Sequence, residues 1–231
     1  MILYRVIMIA DKINSIRHRI ARSCEKTGRY PDDVKLICVT KEADISQIKE
    51  VLTLGASEIG ENRVQAALIK HKQIGSRAKW HLIGHLQTNK VKDALQVFSL
   101  IHSVDSVRLA KEIDKEAKKI NKVQDVLIEV NTSGEKTKLG IAPADIIAFF
   151  KEVTLYPNIN ILGLMTVAPE ASDSEEARPY FRSLRELRDR LNSLLNTYYS
   201  ILSMGMSNDF EVAVEEGATM VRIGRAIFGE R

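Results

Sequence analysis

Short, mostly apolar runs alternate with amphipathic segments along most of the chain. A long amphipathic segment over residues 8–28 comes first, and eight short runs follow it. Each interval between two runs has apolar residues at helical spacing, which is typical of helices that pack against a sheet. The runs predict strands at 35–40, 56–60, 80–83, 99–102, 125–131, 161–165, 200–204 and 219–222. The intervals predict helices near 44–54, 61–72, 88–97, 106–120, 143–151, 174–195 and 208–216.

The number and character of these strands favour one fold class. Eight strands that alternate with helices are the set that builds a (β/α)8 barrel, and apolar runs indicate parallel strands covered on both faces. The alternative is an open doubly wound sheet, which usually has a glycine-rich turn after its first strand. Here the first strand continues into "VTKEAD", and the next glycine after it is Gly55. We therefore predict an α/β protein with a single (β/α)8 TIM barrel and an extra N-terminal helix, in one domain over residues 1–231.

Composition narrows the class of function. The 231 residues are 45% apolar and carry a net charge of +4, with basic residues dispersed among 30 acidic ones, so we expect no nucleic-acid partner. No apolar run reaches 18 residues, so we expect no membrane span. Cys24 and Cys38 are too few for a disulfide framework and indicate reduced thiols in a cytoplasmic protein. His81 and His85 lack the H-E-x-x-H pattern, so we expect no metal site.

Polar residues follow the predicted strands at the end where a barrel has its active site. Lys41 follows the first strand, while Ser207 and Gly224 follow the last two. Taken singly, Ser207 could only cap a helix and Gly224 could only form a turn. Together, a helix beginning near Ser207 and a backbone left open at Gly224 predict a phosphate site.

Closure of a barrel would bring this phosphate site next to Lys41, because the eighth strand pairs with the first. An amine beside a phosphate site suits an aldehyde that carries a phosphate. Pyridoxal 5'-phosphate (PLP), held as a Schiff base on Lys41, is such a molecule. We expect Lys41 to be buried against an apolar barrel mouth.

Six motifs in this order resemble the YggS/PROSC family of pyridoxal-phosphate homeostasis proteins. That family is similar in turn to the N-terminal barrel domain of alanine racemase, the PLP fold type III. The motifs are VTK (39–41), GENRVQ (60–65), WHLIGHLQTNK (80–90), GLM (163–165), SMGMSNDF (203–210) and VRIGRAIFG (221–229).

The resemblance implies a role for individual residues. Lys41 matches the lysine that forms the internal aldimine with PLP, and Ser207 matches a phosphate-binding serine. Gly224 and Arg225 would contact the same phosphate, and Arg222 would face the pyridine nitrogen. The other cofactor-binding residues expected from the family motifs are Asn62, His81 and Met165.

The same resemblance bears on whether the protein carries PLP or uses it as an enzyme. Arg222 does not give up its proton, so it would leave the ring nitrogen unprotonated and weaken the ring as an electron sink. Ile45 stands where the racemase has a tyrosine, and the chain ends at Arg231, without the second domain that supplies the racemase's other base. We therefore expect PLP homeostasis without catalytic turnover, by a monomer whose partners are PLP and PLP-dependent apo-enzymes. The alternative is a PLP-dependent amino-acid racemase that uses Lys41.

Overall fold

Eight parallel strands form a closed barrel, in chain order, in the computed structural model, which describes residues 2–135 and 137–229 and the side chains from Ile9 onward. The strands are β1 (Lys35–Val39), β2 (Glu58–Glu61), β3 (Lys79–Leu82), β4 (Leu100–Val104), β5 (Gln124–Glu129), β6 (Ile159–Met165), β7 (Ile201–Ser203) and β8 (Met220–Ile223). The barrel closes where β8 pairs with β1, with Arg222 opposite Ile37. The predicted (β/α)8 barrel is confirmed.

Helices connect the strands on the outside of the barrel. They are α1 (Ile2–Glu25), α2 (Ile45–Thr53), α3 (Val64–Ile74), α4 (Val91–Ala94), α5 (Val107–Lys119), α6 (Ile146–Val153), α7 (Arg178–Leu195), α8 (Phe210–Glu215) and α9 (Arg225–Phe228). The extra N-terminal helix is α1, whose buried stripe of Ile9, Ile13, Ile16 and Ile20 follows helical spacing. This helix packs against α2, α8 and α9. None of the described helices combines the length and apolar character needed to cross a membrane.

Three helices differ from the sequence-based expectation. The predicted helix near 88–97 is a short 3-10 turn followed by the single turn of α4, and the helix expected from 208 begins at Phe210. The one-turn helix α9 was not expected at all. Helices of one turn contain too few residues for a periodic pattern to show.

The barrel interior has an apolar layer beneath a polar one. Ile37, Leu100, Leu127, Met165 and Met220 form the apolar layer. Since residues two apart in a strand point to the same face, the side chains two positions later project into the interior nearer the carboxyl ends of the strands. In β4, β5, β7 and β8 these later positions are polar and buried, namely His102, Glu129, Ser203 and Arg222.

Candidate functional site

A cleft of about 480 Å³ opens at the carboxyl ends of the strands. Its walls come from the turn after β1, from residues 167–171 after β6, from the loop after β7 and from the start of α9. This volume lies within the range of about 300–1,000 Å³ that is usual for small-molecule sites. The cleft is therefore large enough for a cofactor of PLP's size.

Lys41 lines this cleft from the turn that directly follows β1. Thr40, one residue earlier, is fully buried, whereas the side chain of Lys41 is exposed. The expectation that Lys41 is buried is thus wrong, because the turn carries it above the strand end. Its amine is accessible from solvent at the edge of the cleft.

Ser207 connects the loops after β7 and β8. Its Oγ accepts a hydrogen bond of 3.3 Å from the backbone N–H of Ala226, in the first turn of α9. The helix expected to begin near Ser207 begins three residues later, because Asp209 turns the chain by accepting the Met206 N–H at 2.6 Å. Ser207 therefore lies beside α9 rather than at the start of α8.

Gly224 and Arg225 complete this part of the cleft. A Cβ atom on Gly224 would lie 3.2 Å from both the Cβ and the carbonyl oxygen of Val39, so the turn after β8 passes very close to the end of β1. Arg225 lines the cleft and pairs with Glu170 at 3.6 Å. Lys138, which sequence reasoning missed, lines the same cleft from the long β5–α6 connection, where no strand-end position indicated it.

Arg222 lies below the cleft, in the polar layer of the barrel. Its Nη1 donates to Ser203 Oγ at 2.7 Å and its Nη2 donates to the carbonyl oxygen of Thr166 at 2.9 Å. Burial lowers the pKa of Arg222 to about 10, although the nearby carboxyl groups of Glu129 and Asp209 oppose this shift. The guanidinium is thus fixed in orientation and stays charged at neutral pH.

A chain of buried hydrogen bonds continues from Arg222 across the barrel. Ser203 Oγ lies 2.9 Å from His102 Nδ1, and His102 Nε2 lies 2.9 Å from His81 Nδ1. His81 Nε2 then meets Glu58 Oε2 at 2.6 Å. Burial lowers the pKa of His102 well below its usual value, and His81 and Arg222 lower it further. A neutral His102 has one donor and one acceptor nitrogen, which match its two partners Ser203 and His81.

The other expected residues are placed around this centre. His81 is not on the cleft wall but inside the barrel, within the chain just described. Met165 is buried in the apolar layer beneath. Asn62 is half-buried after β2, and its backbone packs so closely on Gly84 that a Cβ atom on Gly84 would clash with the Asn62 carbonyl oxygen.

Glu129 is an acidic group that sequence reasoning missed. It is buried at the end of β5, where burial and the charge of Asp105 raise its pKa to about 7 in spite of Arg222. Its position two residues after Leu127 is the signal that could have placed it inside the barrel. Glu129 is therefore a candidate acid or base near the cleft that the sequence did not indicate.

Comparison with known proteins fits this geometry. Residues 12–231 match the family model described as alanine racemase, N-terminal domain. A protein of Aquifex aeolicus (strain VF5) named pyridoxal phosphate homeostasis protein is 48% identical over 222 residues, which cover 96% of this chain and 97% of that protein. The chain belongs to the pyridoxal phosphate homeostasis protein family.

Two further proteins are similar to this chain over nearly its whole length. A pyridoxal phosphate homeostasis protein of Pseudomonas aeruginosa is 37% identical, with 96% of each chain covered. PipY of Synechococcus elongatus PCC7942, whose structure was solved with PLP bound, is 33% identical with a TM-score of 0.84. That match covers 96% of this chain and all of PipY.

The predicted site residues fall into three groups. Lys41 and Arg225 line the cleft, and Ser207 lies between two residues that line it, Met206 and Asn208. Gly224 lies in the turn before Arg225. Arg222, His81 and Met165 lie beneath, inside the barrel, and Asn62 follows β2.

Proposed function

We propose that this chain binds PLP at the carboxyl end of the barrel, covalently through Lys41, and serves PLP homeostasis in the cytoplasm without catalytic turnover. The observation that carries the proposal is that Lys41 and Arg225 line one cleft, with Ser207 hydrogen-bonded to the turn of α9 beside it. The name of the Aquifex aeolicus relative and the PLP bound to PipY support it.

The residues present fit the chemical groups of PLP. Ser207 Oγ and the backbone around Gly224 would hold the phosphate, together with the positive charge of Arg225. The close approach of Gly224 to Val39 leaves little room for a side chain on that face of the turn. Arg222, held by Ser203 and Thr166, would face the ring nitrogen. When bound, PLP supplies an aldehyde that attaches to an amine and a ring that withdraws electrons.

The accessibility of Lys41 supports a holding role. An exposed amine at the edge of an open cleft lets the cofactor enter and leave without a large conformational change. Arg222 donates hydrogen bonds and cannot accept one, so it would keep the ring nitrogen unprotonated. We infer a single PLP-binding domain over residues 1–231, acting as a monomer, with PLP-dependent apo-enzymes as acceptors.

The test is a visible spectrum of the purified chain with PLP, before and after borohydride reduction, with the reduced lysine mapped by mass spectrometry. We expect a Schiff-base band and an adduct on Lys41, both lost in Lys41→Ala. Lys115→Ala, which removes an exposed lysine of α5, is the matched control and keeps both. An unchanged band in Lys41→Ala, or an adduct only on other lysines, would refute the proposal.

A second candidate function, an amino-acid racemase, is favoured by Glu129. A buried carboxyl group with a pKa of about 7, close to Arg222, could exchange a proton beside the cleft. The racemase hypothesis predicts that solvent deuterium enters the α-carbon of an amino acid at a rate of order 1 s⁻¹ or faster, and that Glu129→Gln slows it. The carrier proposal predicts no such exchange in the unaltered chain.

A further inference from the structure

A buried polar cluster lies directly beneath the turn that carries Lys41. It consists of Thr40, Glu61 at the end of β2 and Lys70 from α3, and is called the Thr40 cluster below. Lys70 Nζ donates to the Thr40 carbonyl oxygen at 2.6 Å and to Glu61 Oε1 at 2.8 Å. Thr40 Oγ1 donates to the same Glu61 oxygen at 2.6 Å.

These bonds fix every polar atom of Thr40. Its N–H donates to the Gly60 carbonyl oxygen at 2.9 Å, and its own carbonyl oxygen accepts the Ala43 N–H at 2.9 Å as well as Lys70. The bond from Ala43 closes a four-residue turn in which Lys41 is the second residue. The peptide between Thr40 and Lys41 therefore cannot rotate without breaking a buried hydrogen bond, and only the side-chain torsions of Lys41 stay free.

Stability alone does not account for the charged pair in this cluster. The side chain of Glu61 is fully buried, and among the described residues its Oε2 has no hydrogen-bond partner. A buried acceptor without a partner destabilises a fold, and apolar residues often replace buried ion pairs without loss. A charged pair at this position is better explained by the geometry it imposes on its neighbours.

We propose that Lys70 and Glu61 are positioning residues that aim Lys41 into the cleft for covalent attachment of the cofactor. This inference rests on the proposed function, because it assigns the pair to the reaction of Lys41 with an aldehyde. In that reaction the Lys41 amine nitrogen bonds to the aldehyde carbon, and the aldehyde oxygen leaves as water. The Thr40 cluster acts by holding the backbone from which the amine reaches the cleft.

The experiment compares the unaltered chain with the double variant Glu61→Leu/Lys70→Met, which removes both charges together and leaves neither one buried alone. Lys70→Arg keeps the charge and the donors and serves as the rescue. Lys122→Met is the matched control. Like Lys70, Lys122 is partly buried and donates two hydrogen bonds, in its case to the backbone carbonyl oxygens of Leu95 and Phe98, but it lies before β5 at the opposite end of the barrel.

Three measurements separate positioning from general damage. The first is the rate at which Lys41 forms its adduct with PLP, trapped by borohydride. The second is the affinity for pyridoxine 5'-phosphate, which has the phosphate and ring but no aldehyde. The third needs no cofactor and follows hydrogen exchange of the Ala43 amide, which reports on the turn directly.

We expect the double variant to form the Lys41 adduct about tenfold to a hundredfold more slowly, as is usual when a reacting group is misplaced by about 1 Å. Its Ala43 amide should exchange at least about tenfold faster. The affinity for pyridoxine 5'-phosphate should change by less than about twofold, because the Thr40 cluster lies beneath Lys41 and not among the residues proposed to hold the phosphate. Lys70→Arg should recover most of the rate, and Lys122→Met should resemble the unaltered chain.

The outcomes that would contradict the positioning role differ from the outcome that would contradict the proposed function. An unchanged adduct rate in the double variant overturns the positioning role, and so does an equal loss of adduct rate and pyridoxine 5'-phosphate affinity. If the unaltered chain itself forms no adduct on Lys41, the proposed covalent function fails, and this role of the pair fails with it.

Discussion

At Arg222 the barrel interior has a guanidinium where barrels of this type usually have a branched aliphatic side chain. Burial of that charge is unfavourable, as its lowered pKa of about 10 indicates. The bonds to Ser203 and to the Thr166 carbonyl oxygen compensate by replacing lost water contacts. The identity of single residues such as Ser203 therefore determines whether the charge can be kept inside the barrel.

Ser203→Ala should destabilise the fold, because it removes the acceptor of Arg222 and the partner of His102 together. The free energy of unfolding should fall by about 1–3 kcal/mol, the cost of leaving buried polar groups unpaired. Urea denaturation measures it. The control is Ser99→Ala, an exposed serine that bonds the Trp80 carbonyl oxygen, and its effect should stay within about 0.5 kcal/mol. Equal effects of the two variants would contradict a stabilising role for the buried hydrogen bonds of Ser203.

Glu129 should make stability fall as pH rises. Its pKa is raised from 4.5 to about 7 in the folded chain, so the folded state binds a proton that the unfolded state releases between these values. Its contribution is therefore complete below about pH 4.5 and is lost as pH rises through 7, by up to about 3 kcal/mol. The difference in unfolding free energy between the unaltered chain and Glu129→Gln, measured by urea denaturation from pH 5 to 8, should follow this slope. A constant difference across that range would show that Glu129 titrates normally.

The turn between β8 and α9 shows what elements contribute to the cleft. Strand β8 ends at Ile223, Gly224 passes close to Val39 of β1, and α9 then brings the Ala226 N–H to Ser207. The four residues 223–226 thus bring β8, β1 and α9 together. This arrangement depends on the backbone rather than on any one charge.

Gly224→Ala should weaken binding of PLP, because the new methyl group would push this turn away from Val39. We expect affinity to fall about threefold to tenfold, with little loss of stability, since the backbone φ of −121° suits any residue. Gly229→Ala is the converse control. Its φ of 85° disfavours a side chain while no atom lies within 4 Å of the added Cβ, so stability should fall by about 1 kcal/mol with affinity unchanged. Titration by fluorescence and urea denaturation test the two variants, and the opposite pattern would refute this explanation.

The strands and most helices could be predicted from the sequence because each is long enough to show a period, and barrel closure then placed Lys41 and Ser207 together. The position of His81 within the barrel could not be predicted in the same way. Its partners Glu58 and His102 come from neighbouring strands, and their pairing depends on strand register, which one chain's pattern does not specify. The exposure of Lys41 was also missed, because it depends on a four-residue turn.

In the whole molecule, the cleft and the apolar layer lie at different levels of the barrel. The carboxyl ends of the strands hold the cleft, while the apolar layer and the surrounding helices maintain the barrel below. Ligand binding at one end of such a barrel stabilises the fold as a whole, because the cleft walls come from strands distributed around the ring.

Saturation with PLP should therefore raise the melting temperature of the chain. At a concentration one hundred times the dissociation constant the gain is about 2.7 kcal/mol, which for a chain of this size corresponds to about 5–10 °C. Differential scanning fluorimetry measures the shift, with pyridoxal, which lacks the phosphate, as the control ligand expected to give a smaller one. Equal shifts with the two ligands would show that the loops after β7 and β8 do not hold a phosphate.

The order in which the cleft residues occur along the chain has a consequence for biosynthesis. Lys41 leaves the ribosome early, but the groups opposite it in the cleft come from the last part of the chain. Contacts between such distant positions form only after most of the polypeptide is available. A nascent or prematurely terminated chain that lacks β8 therefore carries Lys41 without the residues that complete the cleft.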